Sequence, residues 1–390
     1  MTGLQKGSDR RPSLLLITRN LPPLRGGMER LNWHMAESLA EWSHLTVIGP
    51  AGCREFLSSQ IEVIELSIRS LPGFLLHMLR AAWIRAAKPF DLVLAGSGLT
   101  AIGVKLAARR AGAKSVAYVH GLDLITPHPL YRAIWLPTLR RFDHALANST
   151  NTAAIAMRKG VARGRITVIN PGVALPKTAP VPDNTFRLQN NFGERPVLLS
   201  VGRMTARKGV LEFFRNALPA IHCRYPDVVL VVIGDDAPDA LTGSGTGGRA
   251  ALESLSAELG LADNLRLHDP CDDDTLSQAY CAADVHVFPV RETPGDIEGF
   301  GMVAIEAAAH GLPTVAFAVG GVPDAVRHGC SGFLVQPGDY AGFAERVCEI
   351  LAAGREAPMR ASAREMAKTF TWELFATRLR ESLRAIQTEK

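Results

Sequence analysis

Ten short, nearly continuous apolar runs, alternating with stretches of helical periodicity, constrain what this chain of 390 residues can fold into. Five lie in the first half: LLLIT (14–18), LTVIG (45–49), DLVLAG (91–96), SVAYVH (115–120) and HALANS (144–149). Five more are PVLLSVG (196–202), VVLVVIG (228–234), NLRLH (264–268), DVHVF (284–288) and PTVAFA (313–318). Apolar residues at consecutive positions suit a strand covered on both faces, the environment of a parallel sheet. Helical patterns near 28–41, 73–87, 99–111 and 130–141 separate the first five, so the chain reads as repeated βαβ units. The proline-dense segment PGVALPKTAPVPD (171–183) breaks the alternation. Proline disfavours both helix and central strand, and the segment reads as an interdomain linker. The expected fold is α/β, with two Rossmann-like doubly wound domains, 1–175 and 176–370, facing each other across a cleft. A last helix over 371–390 is expected to pack back on the first domain, and DDAPDALTGSGTGG (235–248) reads as a mobile surface loop.

Composition narrows the class. A chain 47% apolar and 21% charged can bury sizeable cores. Its formal charge is only +5, and no Lys/Arg run is long enough to track a phosphate backbone, which argues against nucleic acid. The six cysteines (Cys53, Cys223, Cys271, Cys281, Cys330, Cys348) are scattered without a CxxC pair, as expected of a reducing compartment without structural zinc. The N-terminal apolar run is too short for a signal peptide, and no segment approaches the ~18 apolar residues of a membrane span. A cytoplasmic protein is expected.

In open parallel sheets ligands bind beyond the carboxyl ends of the strands, so the turns that follow strands should carry the chemistry. EGFGMVAIEAAAHGLP (298–313) holds two carboxylates, Glu298 in a loop and Glu306 within the first two turns of an Ala-rich helix. Gly299 and Gly301 let backbone approach a ligand, and the helix start offers free N–H groups. The two carboxylates can reach one cavity from two directions, as a polyhydroxylated ligand requires; the alternative is an acidic first turn on an ordinary helix. Gly26 and Gly27, in RGGME, open the first helix and suit a phosphate. They are not part of a GxGxxG, and no acidic residue ends the second strand. His120 and Asp123, in HGLD, cap the fourth strand, where a histidine is either a satisfied structural residue or a cleft group. Arg203 ends the strand 196–202, and Lys208 follows before a helix. Together they can neutralise a diphosphate, although a plain surface pair would need no explanation. Asp272, Asp273 and Asp274 read as a helix cap rather than a metal site.

Taken in order, GGME, HGLD, NPGV (170–173), SVGRMTARKG, YCAADVHVFP, EGFGMVAIEAAAHGLPTVA and VGGVPDAV…GFLVQPGD resemble the retaining GT-B glycosyltransferases of the glycosyltransferase family 4 type, the group 1 glycosyltransferases. VRETPGDIEGFG, with extra residues before Glu298, is most similar to the phosphatidylinositol mannosyltransferase-like branch. The resemblance covers the chain from about residue 13. It implies transfer of a hexose from a nucleotide-diphosphate sugar, GDP-mannose or a UDP-sugar, to a hydroxyl of a glycan or lipid-linked acceptor. The setting implied is polysaccharide, cell-surface glycan or glycolipid synthesis. By position in these motifs, Arg203 and Lys208 would hold the donor diphosphate, with Gly26 and Gly27 shaping the phosphate pocket. Glu306 would bind the ribose hydroxyls, while Glu298 and the backbone of Gly299, Phe300 and Gly301 would hold the donor sugar and its phosphate. His120 would contact the sugar near the reacting carbon, and Asp123 would orient or activate the acceptor hydroxyl. Cys271 would occupy the base-contact position. Asp269-Pro270 and IGDD (233–236) depart from the family pattern there, which leaves the nucleobase open. No metal and no cofactor are implied.

The acceptor is expected in the first domain. LPGFLLHMLRAAWIRAAKP (71–89) and YRAIWLPTLRRF (131–142) mix aromatic and basic residues as a helix at an anionic membrane surface does, or else turn their apolar residues to the core. Rival readings are an NAD-dependent oxidoreductase, disfavoured without GxGxxG, and a two-lobed solute-binding protein, disfavoured without a secretory signal. A catalytically silent nucleotide-sugar-binding homologue is the third. It is disfavoured by the presence of His120, Arg203, Lys208, Glu298 and Glu306.

Overall fold

The computed structural model describes residues 10–176, 185–236 and 248–388. Within them the apolar runs become two parallel sheets. The first is built of β1 (Ser13–Ile17), β2 (His44–Pro50), β3 (Glu62–Leu66), β4 (Leu92–Ala95), β5 (Lys114–Val119), β6 (His144–Ala147) and β7 (Ile166–Val168), in the order β3-β2-β1-β4-β5-β6-β7. The second holds β8 (Val197–Val201), β9 (Val229–Ile233), β10 (Leu265–His268), β11 (Val285–Phe288), β12 (Thr314–Phe317) and β13 (Gly332–Val335), in the order β10-β9-β8-β11-β12-β13. Both therefore run third-second-first-fourth-fifth-sixth, the doubly wound order, with β7 appended to the first. Register is set by apolar pairs: Leu14 faces Leu45 on one side and Leu92 on the other, and Leu198 faces Leu230 and Val285.

The three strands without a matching apolar run, β3, β7 and β13, are all edge strands. β3 reads EVIEL, with both glutamates exposed, and β7 has three residues. An edge strand has one covered neighbour and tolerates charge, so its apolar signal is weak.

The chain divides into two compact units. One comprises the residues up to Asn148, Thr152–Ile169 and those from Phe375; the other comprises Ser149–Asn151 and Asn170–Leu374. The proline-dense segment from residue 177, and all but the ends of 235–248, lie outside the described residues. Its beginning is packed within the second unit: Val173 N–H donates to Phe370 O at 2.6 Å, and the Trp372 ring fills the space beside Gly172. The last helix, Trp372–Thr388, buries Phe375, Leu379, Leu383 and Ile386 along one face. It lies on the first unit, where Lys114 Nζ donates to Ile386 O at 2.7 Å.

Helix Leu71–Arg85 starts under a Ser70 cap with Pro72 in its first turn. It buries Phe74, Met78 and Ala82, with Met78 against Gly103 of helix Ala101–Ala111, and leaves Leu71, Leu76, Trp83 and Ile84 exposed.

Candidate active site

The order of the second sheet reverses between β8 and β11, the place where open α/β sheets bind ligands beyond their strand ends. After β8 come Gly202, exposed Arg203 and a short turn, Ala206–Lys208; Gly209, at φ 68°, then opens helix Val210–Asn216. A Cβ at Gly209 would overlap the Pro289 carbonyl, and Arg291 N–H donates to Arg207 O at 2.8 Å. The Arg207–Lys208 turn is thereby fixed to the chain leaving β11. That chain folds back at Thr293-Pro294-Gly295-Asp296, with Asp296 N–H donating to Thr293 O at 3.0 Å and Gly295 at φ 76°. Proline second and a positive-φ glycine third are what a type II turn requires. The turn returns Asp296 and Glu298 to the two cations.

Arg207 pairs with Glu298 and, through Nε, with Asp296 at 3.1 Å. Lys208 Nζ donates to the same Glu298 oxygen at 2.8 Å and stands 4.9 Å from the Phe288 ring centre. None of the four charged side chains is more than 20% exposed. Burial alone would raise the Glu298 pKa, but Arg207 and Lys208 outweigh it and hold the carboxyl down at about 2. Burial lowers the Lys208 pKa, Glu298 offsets part of that, and Arg207 and Arg203 add to the lowering. Arg207 is pulled the other way: its burial is overcome by Glu298 and Asp296.

The backbone from Glu298 to Phe300 is clamped by Gly320 and Gly321. Gly321 N–H donates to Glu298 O at 2.9 Å, and a Cβ on Gly321 would overlap the Gly299 carbonyl. Gly301, at φ 100°, opens helix Met302–Ala309, and its missing side chain makes room for the Phe288 ring. Phe300 is 2% exposed and packs on Phe370, so its side chain serves the core and its backbone alone is left for a ligand.

Glu306 sits one turn into that helix and has different partners from Glu298. Buried Tyr280 donates its hydroxyl to Glu306 Oε2 at 3.1 Å and stacks on His310 at 5.1 Å. Burial lowers the His310 pKa, so the ring is neutral; Nδ1 donates to Glu306 O and Nε2 accepts from Ser277, each at 2.8 Å. Cys271, half-buried beyond β10, packs on the core cluster that contains Tyr280, and burial raises its pKa. Asp272 accepts from Thr275 N–H at 2.8 Å and caps helix Asp273–Ala282.

In the first unit, buried His120 donates from Nε2 to Gly96 O at 2.9 Å, reaching the end of β4 at that sheet's own reversal point. A carbonyl only accepts, so Nε2 carries the proton and, in the neutral ring, Nδ1 is left as an acceptor. Asp123 Oδ2 accepts from His120 N–H at 3.0 Å, which joins the two residues of HGLD. Gly26 and Gly27 are exposed at the start of helix Gly27–Ala40, where the Glu29 carboxylate occupies the space beside Gly26. Neither glycine is brought against His120 or Asp123 by any hydrogen bond among the described residues.

The structure thus joins Lys208 to Glu298 and His120 to Asp123. It adds three residues that the sequence reading passed over: Arg207, Asp296 and Tyr280. Each lies inside a motif already singled out, but its partner is 26 to 91 residues away.

Two sheets of one doubly wound order, the second carrying buried cations around a carboxylate at its reversal point, define the class: a GT-B glycosyltransferase. Sucrose-phosphate synthase from Thermosynechococcus elongatus matches with a TM-score of 0.78 at 24% identity over 96% of this chain and 99% of that one. Anabaena Alr3699/HepE, solved with UDP-glucose, matches at 0.77 and 21%, over 96% and 100%. Residues 25–176 match the model for Glycosyltransferase Family 4, and 195–353 that for Glycosyl transferases group 1. D-inositol 3-phosphate glycosyltransferase 2 of Catenulispora acidiphila is 32% identical, over 83% of this chain and 79% of its own. The GDP-mannose-dependent alpha-(1-6)-phosphatidylinositol monomannoside mannosyltransferase of Mycolicibacterium smegmatis is 28% identical, over 95% and 98%. The chain belongs to this family, the group 1 glycosyltransferases of family 4, and is a hexosyltransferase.

Proposed function

We propose that the protein transfers a hexosyl unit, with retention, from a nucleotide-diphosphate sugar to a hydroxyl of a glycan or lipid-linked acceptor. The observation that carries the reading is the buried corner at the β8–β11 reversal, where Lys208 meets Glu298. The bond between C1 and the phosphate oxygen breaks, and one between C1 and the acceptor oxygen forms. The acceptor proton passes to the departing phosphate. The step needs charge stabilisation on the diphosphate and placement of the acceptor. Lys208 and Arg203 supply that charge, so we propose that no divalent ion is required. Glu306, oriented by Tyr280, accepts from the ribose hydroxyls, and Glu298 with the backbone of residues 299–301 holds the sugar. His120 meets the sugar near C1, and Asp123 orients the acceptor. Cys271 faces the base.

The mannosyltransferase relative takes GDP-mannose and a phosphatidylinositol monomannoside by its name, which favours a GDP- or UDP-hexose and a lipid-linked acceptor here. Among the described residues no helix is long and apolar enough to cross a membrane. Contact with lipid would instead be made at the surface by helix Leu71–Arg85. Its exposed Leu76, Trp83 and Ile84 share a face with exposed Arg80, and the Arg110 guanidinium lies 4.1 Å from the Trp83 ring centre. A cytoplasmic location at the inner membrane face follows from this proposal.

Thermal unfolding with a panel of UDP-, GDP- and ADP-sugars tests the donor. A true donor at a hundred times its dissociation constant adds about 2.7 kcal/mol. NMR of the product then reads the anomer. No stabilisation by any member, or an inverted product, contradicts the proposal; binding without turnover of any acceptor supports a silent homologue instead.

A further inference from the structure

We infer that Arg207 is a positioning residue that retains Glu298 when the donor diphosphate takes Lys208. The inference rests on the proposed donor site and adds a residue to it.

The single Lys208 ammonium already donates to Glu298 at 2.8 Å. A diphosphate arriving there brings further negative charge to the same donor. Glu298 is only 13% exposed, and a buried carboxylate deprived of its partner is strongly unfavourable. Arg207 removes that conflict. It contacts the same Glu298 oxygen as Lys208, from the neighbouring residue of one turn. Its guanidinium meets two anions: it donates to Glu298, and Nε stands 3.1 Å from Asp296 as an ion pair without hydrogen-bond geometry. Asp296 and Glu298, two residues apart after the Pro294-Gly295 turn, both pair with the guanidinium, so Arg207 stays with the loop while Lys208 is free to change partners. Among the described residues, few charged groups surround the carboxylate. Arg207 and Lys208 touch it, Asp296 reaches it through Arg207, and Arg203 acts on Lys208 from the end of β8. His286 of β11 is fully buried near Lys208 with its pKa pushed down to about 3, so it brings no proton.

The test is calorimetry with nucleoside diphosphate on the full chain, repeated in buffers of different ionisation enthalpy. Without Arg207, diphosphate can take Lys208 only if Glu298 is protonated. In Arg207→Gln, affinity should fall by about tenfold, the size of a lost charge-assisted contact. Binding should also take up a proton beyond whatever wild type takes up, and weaken further as pH rises. Arg207→Lys should recover most of the affinity. In Arg207→Gln/Glu298→Gln no carboxylate needs retaining, so affinity should return to that of Glu298→Gln alone. Losses that simply add in the double variant, or proton uptake equal to wild type in Arg207→Gln, would overturn the role of Arg207. Lys208→Ala separates this from the donor site itself: undiminished affinity there would overturn the site, and the inference with it.

Discussion

Glu298 and Glu306 stand eight residues apart in sequence, yet each is held for a different task. Glu306 receives a neutral hydroxyl from Tyr280, while Glu298 is locked between Arg207 and Lys208. Glu306→Gln should chiefly weaken nucleoside diphosphate binding, because a carboxylate accepts from both ribose hydroxyls and an amide does not. Glu298→Gln should lower turnover more than nucleotide affinity, since the transferred sugar is its partner. Calorimetry beside initial rates distinguishes these outcomes, and the reverse pattern would exchange the two roles. The ion cluster also makes a statement about acid. The Glu298 pKa falls from an ordinary 4.5 to about 2 on folding, so its contribution is complete above 4.5 and is lost as pH drops toward 2. Denaturant titrations of wild type and Glu298→Gln between pH 2 and pH 6 should therefore converge as the solution is acidified; a constant gap would contradict the ion-pair account. Lys208, Glu298, Glu306 and His120 were legible as candidates because each lies inside a local motif in the segment that follows a strand. Arg207, Asp296 and Tyr280 were not, because their meaning lies in contacts that only the folded chain makes.

At the scale of elements, the inner strands announced themselves through apolar runs, and of the four edge strands only β10 did. β3, β7 and β13 face one neighbour each and carry short or charged sequences. The same limit applies to turns. Gly299 and Gly301 could be read as a backbone approach, but the clamp on the Glu298–Phe300 backbone by Gly320 and Gly321 is visible only in space. A Cβ on Gly321 would meet the backbone of Gly299 and Phe300, which has no flexible end to yield. Gly321→Ala should therefore cost about 1–3 kcal/mol of stability and lower donor affinity with it. Gly164→Ala is the control, since nothing lies within 4 Å of its added carbon. Thermal melts and donor titration of the two variants check this; equal behaviour would remove the clamp.

Across the whole molecule, charge is distributed unevenly in a way the modest total conceals. Between Ser67 and Phe142 there are eleven Lys and Arg against Asp91 and Asp123 alone, a net of +9, so the rest of the chain is net −4. That stretch includes the helix whose Leu76, Trp83 and Ile84 are exposed. Cosedimentation should show binding to phosphatidylglycerol vesicles, little to phosphatidylcholine, and release by salt as screening shortens the field. Arg80→Glu/Trp83→Ala should abolish it without changing donor binding, whereas retention by that variant would move the contact elsewhere. The central claim, a donor diphosphate neutralised by protein cations at the second sheet's reversal point, is tested most directly by turnover in excess chelator. Nucleoside diphosphate release from GDP-mannose and UDP-hexoses should proceed in wild type under those conditions and fall about tenfold or more in Lys208→Ala. Unchanged rates in Lys208→Ala, or a wild type that is silent until Mg²⁺ or Mn²⁺ is returned, would contradict it.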